Sequence, residues 1–199
     1  MLSLFRALPI VLFVATICAA GQEYAGPNAL GPFRLDKDVT MRALFDRLGE
    51  PSSTTGDVFC FQSKDGKGFL VLTRMAEVYN TKVAGTVTLS GFRNCFNKTL
   101  TTTTVDLAAW KTSQGIGLGS TAEEVRKTFG KPSKEDKIEG RKYRWVIHGD
   151  RKNNHYTDER RPEIGDTVLV YQGSSEDLRI AEFGIREGKV VWISISKNE

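Results

Sequence analysis

Apolar residues along this chain fall into three patterns. Residues 7–17 are almost uninterrupted hydrocarbon with no period. Two later stretches repeat at helical spacing. Met41, Leu44, Phe45 and Leu48 stand at i, i+3, i+4 and i+7, which predicts a helix over 39–48 with one apolar face. Asp36 or Asp38 is placed to cap its start, Gly49 to stop it, and Pro51 to prevent continuation. Ala122, Val125 and Phe129 predict a second helix over 121–129. There Ser120 with Glu123 reads as a capping box, and Gly130 and Pro132 close the helix. The remaining runs are β-branched, aromatic or alternating, and predict strands over 58–62, 69–74, 83–89, 142–148, 167–171, 179–185 and 190–196. Residues 65–68 and 186–189 have turn chemistry. A polar β-branched connection occupies 97–104, Asp106 caps a short turn through Leu107, Ala108 and Trp110, and a long charged loop fills 149–166.

The continuous apolar run has the layout of a secretory signal peptide. Arg6 precedes it, small residues Cys18, Ala19 and Ala20 end it, and Gly21, Gln22 and Glu23 turn polar. A bilayer span needs about 20 apolar residues, more than this run supplies, and Pro9 sits inside it. Cleavage after Ala20 is the expectation. Cys18 opens a second route, a lipidated N-terminus, although Ile17 stands where that processing wants a small residue.

Export changes how the cysteines are read. Cleavage leaves 179 residues, lowers the net charge from +4 to +3 by removing Arg6, and leaves two cysteines, Cys60 and Cys95. In an oxidising compartment an isolated pair is most simply a disulfide. With 34 residues between them, closure is worth roughly 3–4 kcal/mol in the chain-entropy model. Two free buried thiols are the other reading, since spacing alone does not show that they meet. The basic residues are interleaved with acidic ones, which argues against nucleic acid, and no other segment is apolar enough to span a membrane.

The two helices match each other. Residues 40–52 (TMRALFDRLGEPS) and 121–133 (TAEEVRKTFGKPS) share threonine, glycine, proline and serine at an offset of 81, and each precedes a strand with alternating aromatics. This predicts an α+β chain of tandem helix-plus-antiparallel-strand repeats that form one curved sheet with helices on one face. The expected divisions are a signal peptide at 1–20, an extended N-terminus at 21–32, a first repeat at 33–96, a connection at 97–114 and a second repeat at 115–199. Through Gly117, Ser120, Val125, Phe129, Gly130 and Pro132, and more loosely Thr40, Leu44, Leu48, Gly49 and Pro51, the chain resembles the outer-membrane assembly lipoprotein BamE (SmpA/OmlA) family. In its tandem arrangement it resembles the beta-lactamase inhibitory protein family. The resemblance covers about a fifth of the chain and implies a helix followed by meandering strands. The inhibitor family carries a cysteine pair in each repeat, a pattern this chain lacks.

Catalytic chemistry is hard to find. The two histidines, His148 and His155, stand in or beside the charged loop without a rigidly placed nucleophile. His148, Asp150, His155 and Asp158 lack helical ligand spacing, so solvated loop charge explains them better than a metal. The glycines at 115, 117 and 119 lack the strand and sixth-position glycine of a dinucleotide site. Arg151, Lys152, Arg160 and Arg161 are nearly balanced by Asp150, Asp158, Glu159 and Glu163. No catalytic residue, metal or cofactor is expected. Alternation in the last strand places Val191, Ile193 and Ile195 on one side and Trp192, Ser194 and Ser196 on the other. Trp192, with Arg144 and His148 on a neighbouring strand, is therefore the expected protein-binding anchor on an open sheet face. Burial of Trp192 by the long loop is the competing reading. The expected function is non-catalytic binding of another protein. The alternative is an enzyme or small-molecule carrier with a pocket between the sheet and the 149–166 loop.

Overall fold

The order in which strands meet, more than the helices, defines this molecule. A computed structural model describes residues 24–52, 56–74, 83–93, 95, 99–138, 165–174 and 177–197. Two short strands, β1 (Ala29–Leu30) and β2 (Phe33–Arg34), precede helix α1 (Met41–Leu48). Strands β3 (Val58–Ser63), β4 (Phe69–Arg74), β5 (Ala84–Ser90) and β6 (Leu100–Thr103) follow. Helix α2 (Ala122–Phe129) leads into β7 (Lys134–Lys137), β8 (Thr167–Gln172), β9 (Arg179–Arg186) and β10 (Lys189–Lys197). All but β1 and β2 join one eight-stranded sheet in the order β6-β3-β4-β5-β10-β9-β8-β7. β6 runs parallel to β3, and every other pair is antiparallel.

This corrects the expected α+β tandem repeat. Strands take 46% of the described residues and two helices take 12%, so the fold is mostly β, with a mixed sheet. The offset-81 likeness lies in the helix signals. Thr40 and Thr121 are the N-caps, and Gly49 and Gly130 are the C-caps. Any eight-residue helix between extended segments profits from that punctuation, so a shared cap pattern does not require a shared fold. Among the described residues the parallel β3–β6 pair has no counterpart beside α2. The charged strand β7 and the Thr-rich β6 carry no apolar period, which is why the first read as nothing and the second as a connection. The strand expected at 142–148 lies outside the described residues.

The caps sit one to four residues beyond where the sequence suggested. Thr40 Oγ1 accepts from the Ala43 N–H at 3.2 Å, replacing Asp36 or Asp38. Thr121 Oγ1 accepts from the Glu124 N–H at 3.1 Å, and the Glu124 carboxylate accepts from the Thr121 N–H at 2.7 Å. Ser120 instead accepts from the Gly117 N–H at 3.1 Å, holding the turn before the helix.

The main core lies on one side of the sheet. Phe59, Phe61, Leu70, Leu72, Leu89, Phe183, Ile193 and Ile195 meet Leu44, Phe45 and Leu48 of α1 and Val125 and Phe129 of α2. Phe45 meets Phe59 edge-on with ring centres 5.0 Å apart, and Phe129 meets Tyr171 in the same manner at 5.6 Å. The N-terminal stretch joins this core, with Leu30 and Phe33 buried. Arg179 fastens it there. The guanidinium donates to Asn28 Oδ1 at 2.5 Å, stacks over the Tyr24 ring at 4.7 Å, and pairs with Asp177. Hydrogen bonds from Arg179 hold the Asp177 carboxyl below its ordinary range. No helix among the described residues is long and apolar enough to cross a membrane.

Candidate functional site: the sheet face opposite the described helices

Strand alternation sends every second residue away from the helices. Register then groups these residues in rows across the sheet. One row runs Val58, Thr73, Thr86, Ser196 and Ile180. The next runs Cys60, Val71, Thr88, Ser194, Glu182 and Val170. A third runs Gln62, Phe69, Ser90, Trp192, Gly184 and Val168.

These rows form three bands. At one side, the Cys60–Cys95 disulfide, with α-carbons 6.1 Å apart, packs with Val58, Val71 and Leu100. The pairing expected from the sequence is thus present. On the central strands β5 and β10 the face is hydroxyl-bearing: Thr86, Ser194 and Ser196 are half-buried, Thr88 is buried beside them, and Ser90 is buried and donates to Phe92 O at 2.7 Å. Thr88 and Ser194 hydroxyls lie 3.0 Å apart and share a hydrogen bond. Beyond them Trp192, Val168 and Val170 form a second apolar cluster, against which Phe92, Ile138, Ile180 and Val191 pack.

Trp192 is therefore not the exposed anchor expected from the sequence. Its alternation was read correctly, but only 1% of its surface is accessible. Its strand neighbour across the sheet is Gly184, and a β-carbon on that glycine would fall within the indole. Hydrogen has made room for the ring. A register shift between Val190 and Trp192 also changes the inward set, so Val190 joins the main core with Ile193 and Ile195 while Val191 packs beside Trp192. Arg144 and His148, the expected companions of Trp192, lie outside the described residues. So do His155, Asp150, Asp158, the four-cation cluster and most of the 149–166 loop, and with them the pocket of the alternative reading.

Sequence reasoning named Ser194 and Ser196 but passed over Thr86 and Thr88. The signal was available, because these threonines alternate with Val87 and Leu89 in a strand read only as apolar. Two shallow clefts open at the surface. One, of about 450 Å³, is lined by Arg126, Gly130, Pro132 and Lys134, with Ser133 engaged by the Gln172 backbone and Glu135 by Arg126 at 3.0 Å. The other, of about 390 Å³, lies at the hairpin end of the sheet. Among the described residues no group of three His, Cys, Asp or Glu side chains is placed to hold a metal ion. No family model, no curated protein and no solved structure matches this chain.

Proposed function

We propose that the mature chain is an exported, non-catalytic protein that binds another protein through the face of its sheet opposite the two described helices. The carrying observation is the hydroxyl band on β5 and β10, set between two apolar clusters. A solvated sheet face is ordinarily dressed with long charged side chains. Here the accessible centre of the sheet bears the short hydroxyls of Thr86, Ser194 and Ser196, which offer adaptable hydrogen bonding while losing little rotamer entropy on binding. The flanking apolar clusters supply the water-excluding surroundings such contacts need. The joined cysteine pair and the signal-like residues 1–20 support export. The resemblance to the assembly-lipoprotein and inhibitory-protein families points the same way, toward a protein partner, and rests on the helix signals alone.

The test places bulk and charge on this face where it is half-buried rather than in the core. Mature protein and the double variant T86R/S196R serve as baits in an extract of the native envelope. Wild type is expected to retain a partner that the variant loses, with melting temperatures within a few degrees of each other. Equal capture by both baits contradicts the assignment.

A further inference from the structure

At the end of the sheet where the β3–β4 and β9–β10 hairpins turn, five chain segments border the 390 Å³ cleft. Its floor and walls are apolar, from Phe92, Leu118, Val190 and Val191. Val190 is buried and the other three are half-buried. Two exposed cations, Lys67 and Arg186, stand on the rim, and among the described residues no acidic side chain lines the cleft.

The construction is firm. Gly68 seats the β3–β4 hairpin on the turn at Leu107 and Ala108, where a β-carbon would come within 2.6 Å of the Ala108 nitrogen. Any side chain there would lift Lys67 away from the cleft. The Gly91 N–H donates to Val191 O at 3.0 Å and the Gly119 N–H donates to Val190 O at 2.8 Å, tying both walls to β10. Lys67 is only loosely held by its own acidic neighbour. The Ser63 hydroxyl and the Lys67 N–H donate to Asp65 Oδ1 at 2.8 and 3.0 Å, and the Lys67 ammonium stands 3.9 Å from Oδ2.

We propose that this cleft binds a medium-chain carboxylate, with the hydrocarbon against Phe92, Leu118 and Val191 and the carboxylate between Lys67 and Arg186. The volume lies within the ~300–1,000 Å³ usual for small-molecule sites. An apolar floor favours an alkyl chain, and two rim cations without a lining carboxylate favour an anionic head, which a guanidinium can grip by two parallel hydrogen bonds. The cleft adjoins the second apolar cluster through Phe92 and Val191, but its occupation by a carboxylate does not rest on the protein-binding proposal.

Dodecanoate, dodecanol and dodecyltrimethylammonium, each below its aggregation concentration, are titrated into the mature protein by calorimetry. One-to-one, saturable binding of dodecanoate is expected, with both other amphiphiles weaker by about tenfold or more. K67E/R186E is expected to weaken dodecanoate by a similar factor at unchanged melting temperature. Should the double variant not fold, K67E and R186E singly carry the same readout. Absence of saturable dodecanoate binding overturns the proposal. So does equal affinity for the neutral or cationic amphiphile, or binding untouched by the charge reversals.

Discussion

Trp192 and Gly184 act as one unit, since the indole occupies the space where a β-carbon of Gly184 would stand. Trp192→Ala is therefore expected to cost about 3–5 kcal/mol through the cavity it opens. Gly184→Ala is expected to destabilise as well, but in the W192A background much of its cost should vanish, because the clash it causes is gone. Denaturant titrations of the two single variants and the double variant measure this coupling, and additive losses would separate the two residues. Tyr171 carries a pH signature. Its hydroxyl donates to Gly130 O at 3.1 Å, and burial pushes its pKa up to about 12. The folded value lies above the unfolded value of about 10. The associated stability is thus fully present below that pH and is lost as pH rises from about 10 through 12. Tyr171→Phe should flatten this fall when unfolding is followed between neutral and strongly alkaline pH. An unchanged slope would show that the phenol contributes nothing to it.

At the level of elements, both helices are too short to persist alone and depend on their ends and their buried faces. Loss of the Thr121 hydroxyl removes one half of the capping box and frees the Glu124 amide donor, so Thr121→Ala is expected to cost about 1 kcal/mol. Ser120→Ala should cost less, since its hydroxyl accepts from the Gly117 N–H in the preceding turn. Urea midpoints of the two variants decide which residue is the cap, and a greater loss for Ser120→Ala would reverse the assignment. The edges of the sheet are handled differently. β7 reads Lys-Glu-Asp-Lys, and this charge discourages another chain from adding to that edge. Arg126 pairs with Glu135 at 3.0 Å and Lys134 with Asp136 at 2.7 Å, both near the surface.

For the whole molecule, the disulfide ties an outer strand, β3, to the segment that leaves the central strand β5. A 35-residue separation implies about 3–4 kcal/mol of stabilisation from loop closure. Cys60→Ala with Cys95→Ala should lower the unfolding free energy by roughly this amount, whereas reductant should leave the double variant unaffected. Equal stability of wild type and double variant would show that folding is indifferent to the bridge. The Arg179 cluster closes the molecule elsewhere, joining Asn28 of the N-terminal stretch to Asp177 across 149 residues of sequence.

The amino-acid sequence by itself announced the two helices, the hairpins at 65–68 and 186–189, most strands, the alternation from Trp192 onward (though not the place of Val191) and the expectation that Cys60 pairs with Cys95. These follow from local periodicity, turn chemistry and a small cysteine count. It did not determine the cap residues to the exact position, because Thr, Ser and Asp compete within two or three residues and only backbone geometry chooses among them. Nor did it determine the mixed sheet. Which strands pair depends on cohesion between apolar faces far apart in sequence, and β6 and β7 have too little apolar pattern to announce themselves. Alternation fixed the side of the sheet on which Trp192 stands. Only the tertiary structure decided that it is buried, because burial depends on Gly184 across the ladder and on the side chains of Val168, Val170 and Phe92 gathered around it.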